Sequence, residues 1–571
     1  MKKKNRKYQE PEYPHVFPNI EDWPIYKLSE IRPTFVKEIN DFTFDTLVEK
    51  HGEKLGNVIG KAIYQEKIRL KEEPWKVDPP NEQQFWRRIK KRILNIPQGD
   101  NHAQEKVTAE KDILRIIINR YSEEIVSSFK IKTFLFARKF LTFFFNTLLF
   151  SSLSLKSFRV RAGQNRVQNR LIIKGYIDHI RSLMEKGTVI IVPTHFSNLD
   201  SILIGYAMDL IGLPSFSYGA GLNLYNSGYA AYFMNRIGTY RVDRRKKNPI
   251  YLETLKAMSN LSIQKGTNSL FFPGGTRSRS GAIEDRLKLG LLGTAVEAQR
   301  GCYQNGKEDK IFIVPLILSY HFVLEAQFLI EQHLRRVGRE KYMRAKDNFL
   351  SLRKILKFAW TVYSEENDII ISVGKPMDVL GNPVDESGVS YDNYGNEIDV
   401  KDYFKSDEKV VKNLQRESEY TKILSKAIVE RYLIDNIVLS SHLVAFAAFN
   451  LLKQYNSSLD LYAILRLPTS DFVFTEESLM DVIKQLQEEL INMEAADKVK
   501  LSESITLPVK DLIYDGIERM GNFHVAKPLK KNKKGQIVSD NFNLLYYYHN
   551  RLDSYGLEEK ISWKTHLMEV L

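Results

Sequence analysis

The segment Thr188-Val-Ile-Ile-Val-Pro-Thr-His-Phe-Ser-Asn-Leu-Asp200 decides the fold of this chain. Its first five residues are β-branched and lie between a glycine and a proline, which predicts a short, buried strand of a parallel sheet. Helical spacing begins after Asn198, so His195 is expected on a strand-to-helix turn, where functional groups of open α/β sheets collect. Asp200 can bond to one imidazole nitrogen of His195 while the other nitrogen faces a substrate hydroxyl.

Three later segments favour a functional site over the alternative, in which His195 is structural and Asp200 caps a helix. They follow the first segment in order along the chain. They are Ile237-Gly-Thr-Tyr-Arg-Val-Asp-Arg244, a predicted strand with arginines at its end; Leu270-Phe-Phe-Pro-Gly-Gly-Thr-Arg-Ser-Arg-Ser-Gly281, a strand followed by a glycine turn and an Arg-Ser-Arg-Ser loop; and Ile311-Phe-Ile-Val-Pro-Leu-Ile-Leu-Ser-Tyr320, a further buried strand.

Together these segments resemble the four sequence blocks of the glycerolipid acyltransferases. The similarity extends over residues 130–380, and the tail Leu544-Leu-Tyr-Tyr-Tyr-His-Asn-Arg551 resembles the C-terminal segment of the large glycerol-3-phosphate acyltransferases. The blocks are HxxxxD at His195–Asp200, GxxxxxR at Gly238–Arg244, FPxGTRSRSG at Phe272–Gly281 and VPxxxxY at Val314–Tyr320.

The chain departs from that family's pattern at two positions. The family usually carries Glu where Gly274 stands, so no contact of that acid can be transferred to this chain; the glycine would instead let the backbone approach a phosphate closely. Asp243 before Arg244 is closer to the lysophosphatidate acyltransferases than to the glycerol-3-phosphate enzymes, which tend to have two arginines there. The resemblance therefore leaves the acceptor open.

The resemblance implies transfer of a fatty acyl group from acyl-CoA or acyl-ACP to the sn-1 hydroxyl of glycerol 3-phosphate, the first step of phospholipid synthesis. His195, oriented by Asp200, is the expected general base for the hydroxyl. No acyl-enzyme is needed because a thiolate leaves readily, and no metal or organic cofactor is expected. Arginines of the second and third blocks would seat the acceptor's phosphate. The expected substrate-binding residues are Arg244, Gly274, Gly275, Thr276, Arg277, Ser278 and Arg279.

Other functions stay open at this point. A lysophosphatidate (1-acylglycerol-3-phosphate) acyltransferase is favoured by Val242-Asp243-Arg244, and dihydroxyacetone phosphate is a third possible acceptor. A different class of protein is an inactive membrane-binding scaffold that kept the fold, which Gly274 favours. The intact His195–Asp200 pair argues against the scaffold.

Composition narrows the class of protein further. The chain has 571 residues, which predicts two or three domains, and its one cysteine, Cys302, excludes a disulfide framework and is expected to be an inert thiol in a polar loop. The formal net charge of +14 suits either nucleic acid or an anionic lipid surface. We expect no nucleic-acid partner because the sequence contains no zinc-ligand spacing, RRM signature or helix-turn-helix pattern beside the charge.

A membrane lipid surface is the expected partner, together with glycerol phosphate and the acyl donor. Phe134–Leu155 is phenylalanine-rich but contains Arg138 and Lys139, which predicts an interfacial helix rather than a span. Ile437–Leu452 contains polar residues and is predicted to be a buried core helix. The chain start lacks the apolar region of a signal peptide, so the expected location is the cytoplasmic face of the cell membrane, peripheral or monotopic. Basic clusters that would face the lipid lie at Lys2–Lys7, Arg87–Arg92, Arg241–Lys247 and Lys530–Lys534.

From Lys132 to Lys186 the pattern is helical and amphipathic. From Thr188 to about Pro376 strands and helices alternate, which predicts an α/β fold. The expected strands are Thr188–Val192, Thr239–Val242, Ser269–Phe272, Ile311–Ser319 and Asp368–Gly374, and the expected helices lie across Ser201–Ile211, Pro249–Gln264 and Leu287–Arg300. The resemblance makes this an acyltransferase-type α/β domain with a mixed, largely parallel sheet covered by helices and flanked by N-terminal and C-terminal helical regions. The expected divisions are an N-terminal extension with helices (1–130), amphipathic membrane-interface helices (131–187), the α/β acyltransferase catalytic domain (188–380), and a linker with a C-terminal helical region (381–571).

Overall fold

A mixed sheet of seven strands organises the middle of the chain. The computed structural model describes residues 13–96, 102–150, 171–225, 228–337, 368–521 and 524–563. The strand order in the sheet is β1-β7-β6-β2-β5-β3-β4. The strands are β1 (Leu171–Gly175), β2 (Gly187–Pro193), β3 (Ser217–Gly221), β4 (Tyr240–Val242), β5 (Ser269–Leu270), β6 (Lys310–Tyr320) and β7 (Ile369–Val373).

Helices cover the sheet and form the regions before and after it. The helices before β1 are α1 (Pro24–Glu30), α2 (Arg32–His51), α3 (Leu55–Glu72), α4 (Glu82–Leu94), α5 (Ala103–Ile125) and α6 (Ile131–Phe150). Those between the strands are α7 (Ile177–Met184), α8 (Asp200–Leu210), α9 (Gly228–Met234), α10 (Pro249–Gln264), α11 (Leu289–Gln304) and α12 (Ala326–Val337). After the sheet come α13 (Leu414–Ile434), α14 (Ser440–Tyr455), α15 (Leu461–Leu465), α16 (Glu476–Ala495), α17 (Val509–Arg519) and α18 (Phe542–His549).

Strand β2 lies at the centre of the sheet and sets its direction. It pairs in parallel with β6 from Gly187 opposite Lys310 to Pro193 opposite Leu316, and in parallel with β5 on its other side. Its β-branched residues are buried on both faces, as is typical of a parallel strand covered by helices. Within this sheet β6 and β7 pair antiparallel, and β1 is parallel to β7. Strands β1 and β7 therefore run opposite to the other five strands. The predicted α/β fold with a mixed, largely parallel sheet is confirmed.

Two strands of the sheet differ from the sequence-based expectation. Strand β1 lies inside the segment 132–186 for which helices alone were predicted, and it pairs in parallel with β7. Strand β3 was not predicted because it is short and contains two glycines, so it lacks an apolar run. The other strands and α10 begin and end within two residues of their predicted positions. The proposed division into domains stays a prediction.

Short two-stranded pairs follow the main sheet, where a linker was expected after residue 380. These pairs are built by β8 (Ser390–Tyr391) with β9 (Glu397–Ile398), β10 (Lys405–Ser406) with β11 (Lys409–Val410), β12 (Ile437–Val438) with β13 (Lys500–Leu501), and β14 (Lys530–Lys531) with β15 (Ile537–Val538). The segment is also bound to the sheet, because the Lys310 ammonium at the start of β6 donates to the Gly388 carbonyl at 2.7 Å.

Helix α14 forms the centre of the C-terminal region. Its residues from Ser440 to Leu452 are buried, and α16, α17 and α18 pack around it. The prediction of a buried core helix at Ile437–Leu452 is therefore confirmed, with the first residues in β12 rather than in the helix. This apolar run is consumed by the protein's own core.

Helix α6 carries the phenylalanine-rich segment predicted to lie at a membrane interface. Phe136 and Phe143 are 60% and 69% exposed, whereas Arg138 donates to Asp209 at 2.7 Å. The described side chains end at Phe144, so the rest of the Phe134–Leu155 segment lies outside what the structure describes. Across the described ranges, the helices are too short or too polar to cross a bilayer.

The N-terminal helices enclose a buried cluster of charges next to α10. Arg69 is 3% exposed and donates to three carboxylates: Glu66 at 2.6 Å, Asp78 at 2.8 Å and Glu82 at 3.1 Å. Tyr121 donates to Glu66 at 2.9 Å. Removal of the guanidinium would leave carboxylates buried without their counter-charge, which is costly.

We expect Arg69→Met to lower the free energy of unfolding of the N-terminal region by about 3–5 kcal/mol, because buried carboxylates lose their partner. Denaturant unfolding followed by circular dichroism measures this. The matched control is Lys422→Ala, whose exposed pair with Glu419 should be worth under about 1 kcal/mol. Equal stability of the two variants would contradict the assignment.

Candidate active site

The four sequence blocks meet at one edge of the sheet. Strands β2, β3, β4 and β5 run parallel, so their carboxyl ends lie on the same side, and the segments that follow them converge on one cavity of about 190 Å³. This is the edge at which open α/β sheets bind ligands. The expected site residues that line the cavity are His195, Arg244, Thr276, Arg277 and Arg279.

The His195 imidazole is held by a carboxylate behind it. His195 Nδ1 lies 2.8 Å from Asp200 Oδ2, and Asp200 is fully buried at the start of α8. An ionised carboxylate only accepts, so Nδ1 carries the proton and Nε2 is left as the basic nitrogen. The ring of Phe272 stacks on His195 with 4.1 Å between ring centroids. The arrangement fixes both the tautomer and the plane of the imidazole.

Asp200 also holds the backbone of the turn that carries the histidine. Its Oδ2 accepts the N–H groups of Phe196 at 2.7 Å and Ser197 at 2.9 Å, and its Oδ1 accepts the Tyr320 hydroxyl at 2.6 Å. Tyr320 ends β6 and is the last residue of the fourth block, whose role the sequence did not indicate. The fourth block therefore contributes to the site by fixing Asp200.

The peptide units of His195 are fixed by the third block and by a residue just beyond it. Glu284 Oε1 accepts the His195 N–H at 3.0 Å, and the Ser278 N–H donates to the His195 carbonyl at 2.7 Å. The Ser278 hydroxyl donates to the Ala282 carbonyl at 2.7 Å. Glu284 was missed by the sequence reasoning because it lies three residues beyond the block, in a stretch without a motif.

Glycines of the third block form the turn rather than the wall of the cavity. Gly275 has φ of +76°, in the left-handed region that favours glycine. Gly274 lies against the side chain of Glu284. Of the expected substrate-binding residues, Gly274, Gly275 and Ser278 are thus next to the cavity wall without lining it.

Glu325 connects the first block to the third and was also missed. Its Oε2 accepts the Ser197 hydroxyl at 3.0 Å, and its Oε1 accepts the Asn198 N–H at 3.1 Å and the Arg277 guanidinium at 3.3 Å. Glu325 precedes α12 in the sequence, where no pattern marks it. Part of the charge of Arg277 is therefore compensated within the protein, and its side chain is 13% exposed.

The second block brings the N-terminal region to the cavity. Asp243 is buried and accepts from Arg245 Nε at 3.0 Å, and Arg245 also pairs with Asp78 and lies 5.2 Å from the ring centre of Trp75. Trp75 lines the cavity although it lies about 170 residues before the second block. Sequence reasoning could not have found it, since only the fold places it there.

The basic cluster Arg241–Lys247 is only partly at the surface. Lys246 has no exposed side-chain surface and bonds to Glu124 at 2.5 Å. Arg245 is taken up by carboxylates, as described above, whereas Arg244 is exposed at the cavity. The expectation that this whole cluster faces lipid is therefore wrong for Arg245 and Lys246, because the N-terminal helices supply their counter-charges.

The C-terminal tail packs against the turn that carries His195. The Arg551 guanidinium lies 4.1 Å from the ring centre of Phe196 and donates to the Leu318 carbonyl at 2.6 Å. Asn550 donates to the Ser280 carbonyl at 2.9 Å. Burial lowers the pKa of Arg551 to about 10, so it remains charged near neutral pH. The tail segment is thus part of the support of the site.

Gly281 shows how closely the tail approaches the third block. It has φ of +87°, and a Cβ at this position would lie 2.1 Å from the carbonyl oxygen of Tyr547 in α18. Only glycine fits both the backbone conformation and the space. The last residue of the third block is therefore fixed by packing against the C-terminal region.

Cys302 takes no part in the site. It is buried in the last turn of α11, so the prediction of a polar loop there is wrong, since the helix continues to Gln304. Burial raises the pKa of its thiol to about 11, which makes it a poor nucleophile near neutral pH. Within the described residues, no cluster of three or more His, Cys, Asp or Glu side chains could hold a metal ion.

The comparison with known proteins agrees with this geometry. Residues 172–319 match the family model described as Acyltransferase, a range that runs from β1 to β6 and contains the His195–Asp200 pair. These residues form an acyltransferase domain. The matched range contains the sheet edge, the turn that carries His195 and the loop that carries Arg277 and Arg279.

Relatives with longer alignments share one name, glycerol-3-phosphate acyltransferase. The Aeromonas hydrophila protein is 29% identical over 195 residues, 34% of this chain and 23% of its own length. The Pseudomonas fluorescens SBW25 protein is 24% identical over 297 residues, which are 51% of this chain and 31% of the relative's length. The Haemophilus ducreyi protein is 24% identical over 328 residues, which are 54% of this chain and 36% of the relative's length. The match thus spans about a third or less of the length of these relatives.

Proposed function

We propose that this protein transfers a fatty acyl group from a thioester, acyl-CoA or acyl-ACP, to the sn-1 hydroxyl of glycerol 3-phosphate. The observation that carries the proposal is that a carboxylate-oriented histidine and the arginines of two blocks open onto one cavity. The acyltransferase domain and the shared name of the relatives support it. No cofactor is part of the proposal.

His195 acts as the general base. An alcohol is a weak nucleophile near neutral pH, so Nε2 takes the hydroxyl proton as the oxygen attacks the thioester carbonyl. The imidazolium that forms is stabilised by the Asp200 carboxylate, which stays ionised. The tetrahedral intermediate then collapses, the C–S bond breaks, and the thiolate leaves and can take a proton from the imidazolium. The acyl group passes directly to the acceptor.

Arg279, Arg244 and Arg277 form the seat of the acceptor's phosphate. A guanidinium binds phosphate through paired, charge-assisted hydrogen bonds, so several arginines around one cavity suit a dianion. Arg277 shares its charge with Glu325, which fixes its position at the cost of part of its attraction for phosphate. Thr276 lines the same cavity, and its hydroxyl is a neutral hydrogen-bonding group.

Enclosure favours a small acceptor over lysophosphatidate. Trp75 from the N-terminal region lines the cavity. Its loop is held by the Trp75 N–H, which donates to Asp78 at 2.9 Å, and by Arg245, which also pairs with Asp78. A water-soluble acceptor has no acyl tail to anchor it, so it depends on enclosure for its orientation. The Asp243 carboxylate is committed to Arg245, so the Asp-Arg pattern supports this wall rather than selecting a lysophospholipid. Dihydroxyacetone phosphate would fit the same seat.

The same proposal includes a peripheral site at the cytoplasmic face of the membrane. The exposed phenylalanines of α6 supply the apolar part of a lipid-facing surface. Its cationic part comes from the exposed basic residues of α4, which are Arg87, Arg88, Lys90, Lys91 and Arg92. Each cation near an anionic surface contributes about 1 kcal/mol. The acyl donor and the product are amphipathic, so a cavity near lipid shortens their path.

The first prediction concerns the base. His195→Ala should lower the rate of acyl transfer by about two to four orders of magnitude, the usual worth of general base catalysis, with an unchanged circular dichroism spectrum. The measurement is single-turnover formation of labelled 1-acylglycerol 3-phosphate. A variant within tenfold of the wild type would remove His195 from the mechanism.

The second prediction tests the acceptor. With palmitoyl-CoA or acyl-ACP as donor, the wild type should acylate glycerol 3-phosphate faster than lysophosphatidate. Trp75→Ala should raise the KM for glycerol 3-phosphate roughly tenfold, about 1.4 kcal/mol, and leave the KM for the thioester nearly unchanged. A preference for lysophosphatidate would make the lysophosphatidate acyltransferase the correct function, and a protein that consumes no thioester would be the scaffold.

The third prediction concerns the lipid surface. In flotation assays the protein should bind vesicles that contain phosphatidylglycerol, and high salt should release most of it. Phe136→Ala with Phe143→Ala should weaken binding, whereas Tyr394→Ala, which removes an aromatic side chain that is 91% exposed on the β8–β9 hairpin, should not. Equal binding to neutral and anionic vesicles would contradict the electrostatic part of the proposal.

A further inference from the structure

Glu284 crowds the space that a side chain at residue 274 would need. A Cβ on Gly274 would lie 3.0 Å from Glu284 Cγ and 3.2 Å from its Oε1, which is the oxygen that accepts the His195 N–H. These are contacts tighter than ordinary van der Waals separation, and they involve the functional end of the Glu284 side chain. A side chain at residue 274 would therefore require Glu284 to shift by a few tenths of an ångström, which would disturb the oxygen that accepts the His195 N–H.

The backbone of Gly274 does not itself require glycine. Its φ lies outside the left-handed region, unlike that of its neighbour Gly275. A side chain at residue 274 would be crowded by Glu284, whereas the backbone conformation there would accept one. The glycine and the glutamate thus form a matched pair across the turn.

Glu284 accepts the backbone amide of His195 itself, which Asp200 does not reach. The successive N–H groups of His195, Phe196 and Ser197 all point at carboxylates, the first at Glu284 and the next two at Asp200. Loss of the Glu284 carboxylate would leave the His195 N–H without its acceptor at the residue that carries the base. A buried donor without an acceptor is costly, so the turn would shift to satisfy it.

The surroundings of Glu284 suit a carboxyl group that is kept out of water. Residue 284 as a whole is half-buried, but its oxygen Oε2 is buried, and no donor among the described residues bonds to that oxygen. Burial raises the pKa of the carboxyl to about 7, while Arg551 opposes the rise and Asp200 adds to it. Such a group is too costly to be retained as an ordinary surface acid.

We propose that Glu284 is a positioning residue for His195, and that its carboxylate occupies, from ten residues further along the chain, the place that a glutamate at position 274 would fill. The carboxylate acts through the peptide unit of His195 and does not touch the substrate. Gly274 is then not a sign of lost activity, because the acid that belongs beside this turn is present and enters from another point of the loop.

A reciprocal exchange tests the inference, which rests on the proposed function. Glu284→Ala should lower kcat about 10- to 100-fold, the usual worth of a hydrogen bond to a charged group, and change the KM for glycerol 3-phosphate by less than about threefold. Glu284→Gln keeps an acceptor oxygen for the His195 N–H, so it should retain most of the kcat that Glu284→Ala loses. The matched control is Asp285→Ala, which removes an exposed acid one residue away and should leave kcat unchanged.

The decisive variant combines both positions. Gly274→Glu alone should lower kcat because the new side chain collides with Glu284, whereas Gly274→Glu with Glu284→Gly should recover kcat to above that of either Gly274→Glu or Glu284→Ala. Coupling of this sign is expected only if the two positions share one space and one role. A double variant no better than the worse single variant would overturn the inference, even if Glu284→Ala fails to fold.

A readout without turnover separates this inference from the proposed function. The crystal structure of the double variant should place the introduced carboxylate within about 3 Å of the backbone nitrogen of His195. A carboxylate turned into solvent would refute the inference for an active or an inactive protein alike. A wild type without acyl transfer would refute the proposed function only, and an active wild type with a normal Glu284→Ala would refute only the role of Glu284.

Discussion

The buried Asp200 carboxylate is the constraint on which the site depends. It accepts four hydrogen bonds, from the His195 ring, from two successive backbone amides and from the Tyr320 hydroxyl. A carboxylate without exposure to water must be satisfied by donors at close range, so the turn, the ring and the end of β6 are fixed relative to one another. The same contacts that make burial of the charge tolerable therefore set the position of the His195 ring.

The sheet brings the strand ends together, but distant residues fix the loops that follow them. Glu325 connects the first and third blocks, Arg551 supports Phe196, and Tyr432 donates to the Val192 carbonyl at 2.8 Å. Loops at a sheet edge have few backbone partners of their own and need side chains from outside to hold one conformation. Tyr432 and Arg551 come from the C-terminal region, so that region helps to fix the turn that carries His195.

Sequence patterns predicted the parts of the molecule in which local and tertiary requirements agree. The β-branched run of β2 and the helix α10 behind its proline were both recognised, and so was the buried helix α14. Thr276, Arg277 and Arg279 line the same cavity as His195, whereas Asp200 is buried behind the histidine. Strand β3 has no apolar run, and Glu284, Glu325 and Trp75 act through contacts that only the folded chain creates, so no local pattern could reveal them.

The second block shows why a cluster of cations in a sequence does not define a surface. Four adjacent residues have four environments: Asp243 is buried as an acceptor, Arg244 is exposed at the cavity, Arg245 joins two carboxylates, and Lys246 lies among the N-terminal helices. Each buried cation requires a counter-charge, and these come from a region whose acids show no pattern in the sequence. The block therefore does two things at once, since it presents one arginine to the cavity and anchors the N-terminal helices that enclose it.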